Sequence, residues 1–181
     1  KVPWDNAWTR LVFVNGVFST KLSSNRDECI RSYVDRIASK SDTNNTLLNK
    51  HLARYAKIDE DGFTAINTAF TYDGAVVNIP DGISPDNPIH ILFVATTSHN
   101  TRVSYPRTLI LTGKHSKLTV LESYVGLSDN IYFTNAVTEI VAGEGSEIEH
   151  YRYLMESPHA FHIGTSRVSM HKNSRIFSTS L

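Results

Sequence analysis

NIYFTNAVTEIVAGEGSEIEHYRYLME, residues 130–156, reads as two strands of about ten residues on either side of a turn over 143–146. In the first strand Val137, Glu139 and Val141 share one face, and Ala136, Thr138 and Ile140 share the other. In the second, Ile148, His150, Arg152 and Leu154 share a face opposite Glu149, Tyr151, Tyr153 and Met155. Gly143 and Gly145 supply the backbone freedom that a tight connection needs. Neither face of either strand is purely apolar, which predicts a sheet whose neighbours supply much of the cover.

From Ala75 onward the same character repeats. Strand-like runs follow one another as AVVNI, IHILFVAT, RTLILTG, KLTVLESYV, YFTNAVTEIVA, EIEHYRYLM, AFHIGTSRVSM and RIFSTSL. Pro80, Pro85, Pro88 and Pro106 fall between runs, as strand punctuation should. The connections carry Gly113, Gly126, Gly143, Ser157 and Asn173 at nearly regular spacing. Short strands so spaced make a sandwich, a barrel or a β-solenoid. Alternation does not choose between them, and from the residues alone the sandwich ranks marginally first.

Before Ala75 the period is mixed. RLVFV, Asn15-Gly16 and VFS form a hairpin signal, flanked by Trp4 and Trp8, which read as packed side chains. Residues 24–39 read as an amphipathic helix, capped by Ser24 or Asn25, with Asp27 and Glu28 in its first turn and Ile30, Tyr33, Val34 and Ile37 on a buried stripe. Cys29 adjoins that stripe with no ligand-spaced partner and reads as a small buried residue. Residues 39–46 read as a polar linker. LLNKHLARYAKI is helical through Leu48, Leu52 and Tyr55, with His51 beside that face; residues 59–62 break it, and Phe63, Ile66, Asn67 and Phe70 allow a further turn or two of helix.

Composition bounds the function. Lys+Arg and Asp+Glu both total 18, so the formal net charge is zero, against the basic excess of a general nucleic-acid binder. A single cysteine rules out an intrachain disulfide and fits a reducing compartment. No apolar run approaches the roughly 18 residues of a membrane helix, and KVPWDNAWTR lacks the h-region of a signal peptide. The first residue is Lys and the last run, RIFSTSL, reads as strand, which predicts an internal piece of a larger protein, with Ile176 and Phe177 bordering an unpaired edge.

No chemistry-bearing motif is present: no GxSxG, Walker A, GxGxxG or HExxH. His150, His159, His162 and His171 cluster in sequence near Glu147, Glu149 and Glu156, but their spacing fits no zinc pattern, and they read as hydrogen-bonding groups on a sheet surface. Glu122, Glu139 and Glu149 lie within strands and are expected on solvated faces; a carbohydrate-active solenoid would need two of them to converge. Tyr151 and Tyr153 share a strand face and read as packing groups rather than a stacking platform. No catalytic, cofactor-binding or metal-ligating residue is assigned.

The residues also carry a resemblance. YFTNAVTEI, EHYRYLMES and AFHI, with RLVFVNGVFS, INTAFTYDGAVVNIPDGI and NPIHILFVAT upstream in the same order, resemble the SufB/SufD family of the SUF iron–sulfur cluster assembly machinery, on its SufD branch. The resemblance runs from Arg10 to the end and is best over 63–83, 88–95 and 132–163; residues 23–58 are less recognisable. It implies a right-handed parallel β-helix over 63–181 preceded by a small helical N-terminal region over 1–62, which reverses the preference for a sandwich. It further implies a non-catalytic, cytoplasmic scaffold, in a bacterial cytosol or a plastid stroma. Its partners would be a SufB-like paralogue and a SufC-like ABC ATPase, with a homodimer as the alternative pairing, and neither nucleic acid nor membrane. The cluster would be assembled transiently by the whole complex, and this stretch would hold no cofactor of its own. The family's ATPase contacts and its cluster-linked Cys and His positions belong to a C-terminal part that these residues do not match, so none is transferred. The competing readings are a β-solenoid carbohydrate-active enzyme and a binding module.

Overall fold

A computed structural model describes residues 2–24, 33–39, 42–96 and 102–181. The strands are β1 (Thr9–Val14), β2 (Val17–Phe18), β3 (Val34–Arg36), β4 (Ala75–Ile79), β5 (Ile89–Ala95), β6 (Arg102–Ser104), β7 (Arg107–Thr112), β8 (Lys117–Gly126), β9 (Tyr132–Ala142), β10 (Glu147–Met155), β11 (Phe161–Met170) and β12 (Arg175–Ser180); the helices are α1 (Asp42–His51) and α2 (Gly62–Phe70). One sheet runs β12-β10-β8-β5-β1-β2 and the other β11-β9-β7-β4-β3, with β6 on β9. Every pairing is parallel except β1 with β2 and β3 with β4.

That pattern decides the architecture. β9 and β10, on either side of the 143–146 turn, lie in different sheets, and each pairs with the strand one coil before and one coil after it. A sandwich of antiparallel strands is excluded, and the chain is a parallel β-solenoid. The coils are β4 with β5, β7 with β8, β9 with β10, and β11 with β12. β1 extends the first sheet by pairing with β5 along its whole length.

The coils stack because their corners are the same turn. TGKHSK, AGEGSE and MHKNSR occupy equivalent corners, with left-handed backbone at His115, Gly145 and Asn173 (φ 54, 66 and 60). In each, a serine closes the turn: Ser116 Oγ donates to the Gly113 carbonyl (2.9 Å), Ser146 to that of Gly143 (2.8 Å) and Ser174 to that of His171 (2.7 Å). The sheet ladder continues through the corners, His115 N donating to the Glu144 carbonyl (2.9 Å) and Gly145 N to that of Lys172 (3.0 Å). Backbone approaches so closely here that a Cβ at Gly143 would lie 2.5 Å from the Thr112 carbonyl oxygen.

Stacking puts like positions in columns. Val77, Ile110, Ile140 and Val168 are in register inside the coil, as are Phe13, Phe93 and Tyr124, whose rings stack at 5.1 Å per step. The first coils are filled by Leu11, Phe13, Val77, Ile79, Ile89, Ile91 and Phe93, all buried. On the outer wall, Leu109, Leu111 and Val141 pack against Leu47, Leu48 and Tyr55. The neighbours do supply the cover that the mixed faces of β9 call for.

The N-terminal region differs from expectation. Of the helix read over 24–39, residues 25–32, including Cys29 and Ile30, lie outside the described residues; its remainder is not helical. Ser24 bridges to Arg10, and residues 34–36 form β3 on the edge of β4. The bonds from Ile37 N to the Gly74 carbonyl (2.8 Å) and from Asn78 N to the Tyr33 carbonyl (2.7 Å) show why. A sheet edge offers partners that a weak helical stripe does not, and tertiary pairing overrides propensity. The helix expected from Leu47 begins at Asp42, inside the polar linker, and stops at His51; left-handed Ala53 (φ 57) ends it. α2 forms as expected, with Asp61 as its N-cap accepting from Phe63 N (3.2 Å) and Thr64 N (3.0 Å).

The corner geometry yields a stability prediction. Gly143→Ala forces two coils apart and should lower the unfolding free energy by about 1–3 kcal/mol. Asn173→Gly keeps the left-handed corner and should change it by no more than about 0.5 kcal/mol. Urea unfolding of both variants against the parent checks this; equal losses would mean that close approach at 143 is not what constrains the corner.

Candidate functional site

Of the three strand glutamates expected on solvated faces, Glu149 is exposed, but Glu122 and Glu139 are not. Glu122 and Glu139 are both fully buried, and His150, expected on a sheet surface, is 1% exposed. Each finds partners enough to make burial affordable, since an unpaired buried charge is costly.

Glu122, on β8, points into the coil. His150 Nε2 lies 2.8 Å from its Oε2, Thr138 Oγ1 donates at 3.0 Å, and Arg152 Nη2 is 3.7 Å away. The cluster continues outward: His150 Nδ1 meets Ser178 Oγ at 3.0 Å, and Arg152 Nη2 donates to Ser166 Oγ at 2.6 Å. Burial alone would raise the Glu122 pKa; the hydrogen bond and charge of His150 and the charge of Arg152 overcome it and hold the carboxyl at about 2. Burial, aided by Glu122, pushes the neighbouring Tyr124 hydroxyl up.

Glu139, one residue on from Thr138, faces the opposite way, onto the outer wall. Arg107 Nη2 donates to its Oε1, and Ala53 N (2.9 Å), Tyr55 N (2.9 Å) and Ala56 N (3.0 Å) donate to the two oxygens. Arg107 in turn donates to Asn67 Oδ1 (3.0 Å) and Thr68 Oγ1 (3.0 Å) on α2. One carboxylate thus joins the loop after α1, the helix α2 and the solenoid wall. The sequence reading carries this helix on to a break at 59–62, so it gives no sign that N–H groups at 53–56 are free to meet a carboxylate; a glutamate within a strand was the available signal.

A third, half-buried pair is Glu156 with His162, whose Nδ1 is 2.6 Å from Oε2; Thr134 Oγ1 donates to the other oxygen at 2.8 Å. His159 and His171 sit exposed on turns, and Glu147 pairs with Lys117 (3.0 Å) and Arg175 (3.6 Å) on the surface. The four clustered histidines therefore occupy separate environments. Among the described residues no group of three or more His, Cys, Asp or Glu could hold a metal ion. Glu122 and Glu139 lie on opposite sides of the coil wall, and Glu149 is exposed on a third surface, so no two of the strand carboxylates flank a common cleft. Tyr151 and Tyr153 are half-buried on the outer face of the first sheet, Tyr151 tilted against Phe177 with ring centroids 5.9 Å apart. A hollow of about 750 Å³ lies between α1 and the outer wall, bounded by Leu47, Lys50, His51, Leu111, Val141 and His171. No helix among the described residues is long and apolar enough to cross a membrane.

The buried ion pairs join neighbouring coils to one another and α2 to the solenoid wall. The family model for the SufBD protein N-terminal region matches residues 5–91, and that for the SufBD core domain of SUF system FeS cluster assembly matches residues 93–181. The iron-sulfur cluster assembly SufBD family protein slr0076 of Synechocystis sp. is 34% identical over 179 residues, covering 92% of this chain and 38% of that protein. The protein ABCI7, chloroplastic, of Arabidopsis thaliana is 28% identical over 109 residues, 57% of this chain and 23% of that protein. The iron-sulfur cluster assembly protein SufD of Bacillus subtilis is 24% identical over 97 residues, 52% of this chain and 21% of that protein. The chain thus spans well under half the length of the curated relatives it matches.

Two outcomes follow from the buried carboxylates. Glu139→Gln replaces four acceptor positions by two, so either amide orientation leaves buried donors unmet; a loss of about 3–5 kcal/mol is expected. Limited proteolysis should then cut within residues 42–62 before the strands, whereas Glu149→Gln, at an exposed position, should change neither stability nor cleavage. Glu122 gives a pH dependence. Its folded pKa, about 2, lies below its ordinary value of 4.5, so folding favours the ionised form. The stability this contributes, on the order of 2–3 kcal/mol, is full above about pH 4.5 and is lost as pH falls toward 2. Unfolding titrations between pH 6 and 2.5 should show that loss in the parent and not in Glu122→Gln.

Proposed function

The chain belongs to the SufB/SufD family of the SUF iron–sulfur cluster assembly system, and from that premise we propose that it is part of a SufD-like scaffold subunit. In this reading it acts beside a SufB-type paralogue and a SufC-type ABC ATPase in a bacterial cytosol or a plastid stroma. The observation that carries the reading is that the N-terminal and core family models match in order and together take in residues 5–91 and 93–181. The SufD branch is supported by the Bacillus subtilis relative and by the NTAF and NPIH segments. The location is supported by the cyanobacterial and chloroplastic relatives.

A scaffold role also suits the side chains. The buried carboxylates are each committed to several donors and reach no common cleft, so their chemistry is spent on holding coils together. The cluster is then cargo, assembled by the whole complex, and ATP hydrolysis belongs to the ATPase partner. Purification of the full-length protein from its host under anaerobic conditions tests this. Stoichiometric recovery of an ABC ATPase and a paralogous β-helix subunit is expected; recovery of neither overturns the reading.

A further inference from the structure

The corners TGKHSK, AGEGSE and MHKNSR share a turn but not a charge. The residue before the left-handed one is Lys114, then Glu144, then Lys172, and Lys117, Glu147 and Arg175 stand three positions on. The connection from β4 to β5 joins the first of these columns. Its Gly82 is left-handed (φ 71) and follows Asp81, and Gly82 N donates to the Lys114 carbonyl (2.8 Å), as His115 N does to that of Glu144 and Gly145 N to that of Lys172. Along the stack one column reads Asp81, Lys114, Glu144, Lys172 and the other Lys117, Glu147, Arg175. In both, the sign of the charge reverses at every coil.

Opposite charges meet across the coils. Lys114 Nζ lies 3.8 Å from Glu144 Oε2, and Glu147 stands between Lys117 (3.0 Å) and Arg175 (3.6 Å). The hydrogen bond and charge of Lys117, with the charge of Arg175, hold the Glu147 carboxyl below its ordinary value. These side chains are 42% to 82% exposed, so each pair adds little to stability. Their arrangement discriminates nonetheless. The turn alone does not tell one coil from the next, because the left-handed position and the closing serine recur. The charges do. Adjacent coils present opposite signs, whereas coils two apart present the same sign: Asp81 and Glu144, Lys114 and Lys172, Lys117 and Arg175. A coil also meets its own sign when it meets the same coil of a second copy. Stacked strands lie about 4.8 Å apart. Like charges directly opposite at that spacing are destabilising. A wrong stack therefore loses the attraction and gains repulsion in the same step.

We propose that the two corner columns are an electrostatic sorting device. As the chain folds, they admit the neighbouring coil and reject both a skipped coil and the same coil of a second copy. The test is refolding of the full-length protein by dilution from urea, with Lys114, Lys117, Glu144, Glu147, Lys172 and Arg175 all replaced by Gln in one variant. The urea midpoint of that variant should stay within about 0.5 M of the parent's, because exposed pairs contribute little. Its yield of protease-resistant monomer should nonetheless fall about threefold below the parent's at about 10 mM salt, where charges act over roughly 30 Å. The missing protein should appear as dimers, larger aggregates and protease-sensitive monomer. At about 1 M salt, where screening shortens that range to roughly 3 Å, parent and variant should give equal yields. Equal yields at low salt, a shortfall that persists at high salt, or one that accompanies a larger drop in the urea midpoint overturns the proposal.

Discussion

Each coil must lie on the one below it in register, and the rest of the structure follows from that. The constraint acts most tightly at the corners, where backbone meets backbone and the Gly143 Cα leaves no room for a side chain. Three corners meet it with one turn, in which a left-handed residue is followed by a serine that closes the bend. Once the corners superpose, the strands have no freedom to slip, and every residue inherits its environment from the residues one coil away. Ile91, Glu122, Arg152 and Ser180 form such a column, and Ile89, Val120, His150 and Ser178 form the next.

These columns explain why charge is tolerated inside. A one-residue slip of a strand turns every side chain to the other face. Glu122 meets His150 and Thr138 only when β8, β9 and β10 are all in their observed registers. In any slipped alternative at least one buried charge loses its partners, at a cost of several kcal/mol. An all-apolar column would accept several registers with little difference. The polar interior of the later coils therefore discriminates between registers more than it adds stability, while the aromatic ladder of Phe13, Phe93 and Tyr124 supplies apolar burial.

The strands after Ala75 were legible because alternation and proline placement are local signals, and all eight runs read from sequence there are strands. β6 was missed because three residues carry no period, and β3 because Tyr33, Val34 and Ile37 satisfy a helical spacing as well as they cover a sheet edge. Parallel stacking was not legible from alternation, which is identical in a sandwich; the family resemblance supplied it. The corner repeat was present as TGKHSK, AGEGSE and MHKNSR, but its shared features are a backbone angle and a serine, and the residue at the left-handed position changes from His to Gly to Asn. The buried glutamates were misread for a different reason. A charge within a strand is solvated unless distant residues bring donors to it, and Glu139 takes one donor from Arg107 and three from residues 53–56, more than eighty positions away.

The orientation of α2 shows how one such distant demand propagates. Strand β7 begins directly after Pro106, so the wall at that point presents the carbonyls of Pro106 and Asn135 and the guanidinium of Arg107 to whatever lies over it. Buried backbone carbonyls must be satisfied. A helix laying phenylalanines on that stretch would forfeit a bond to each of the three groups, whereas Asn67 answers them with one side chain, adding to the bonds of Val137 N to the Pro106 carbonyl and of Arg107 to Glu139. The polar demand of the wall therefore selects the Thr64, Asn67, Thr68 and Thr71 face of α2 for the inside, against the usual direction of amphipathic packing. Phe63, Ile66 and Phe70 are on the surface because the solenoid wall, rather than the composition of the helix, decided which side it would bury.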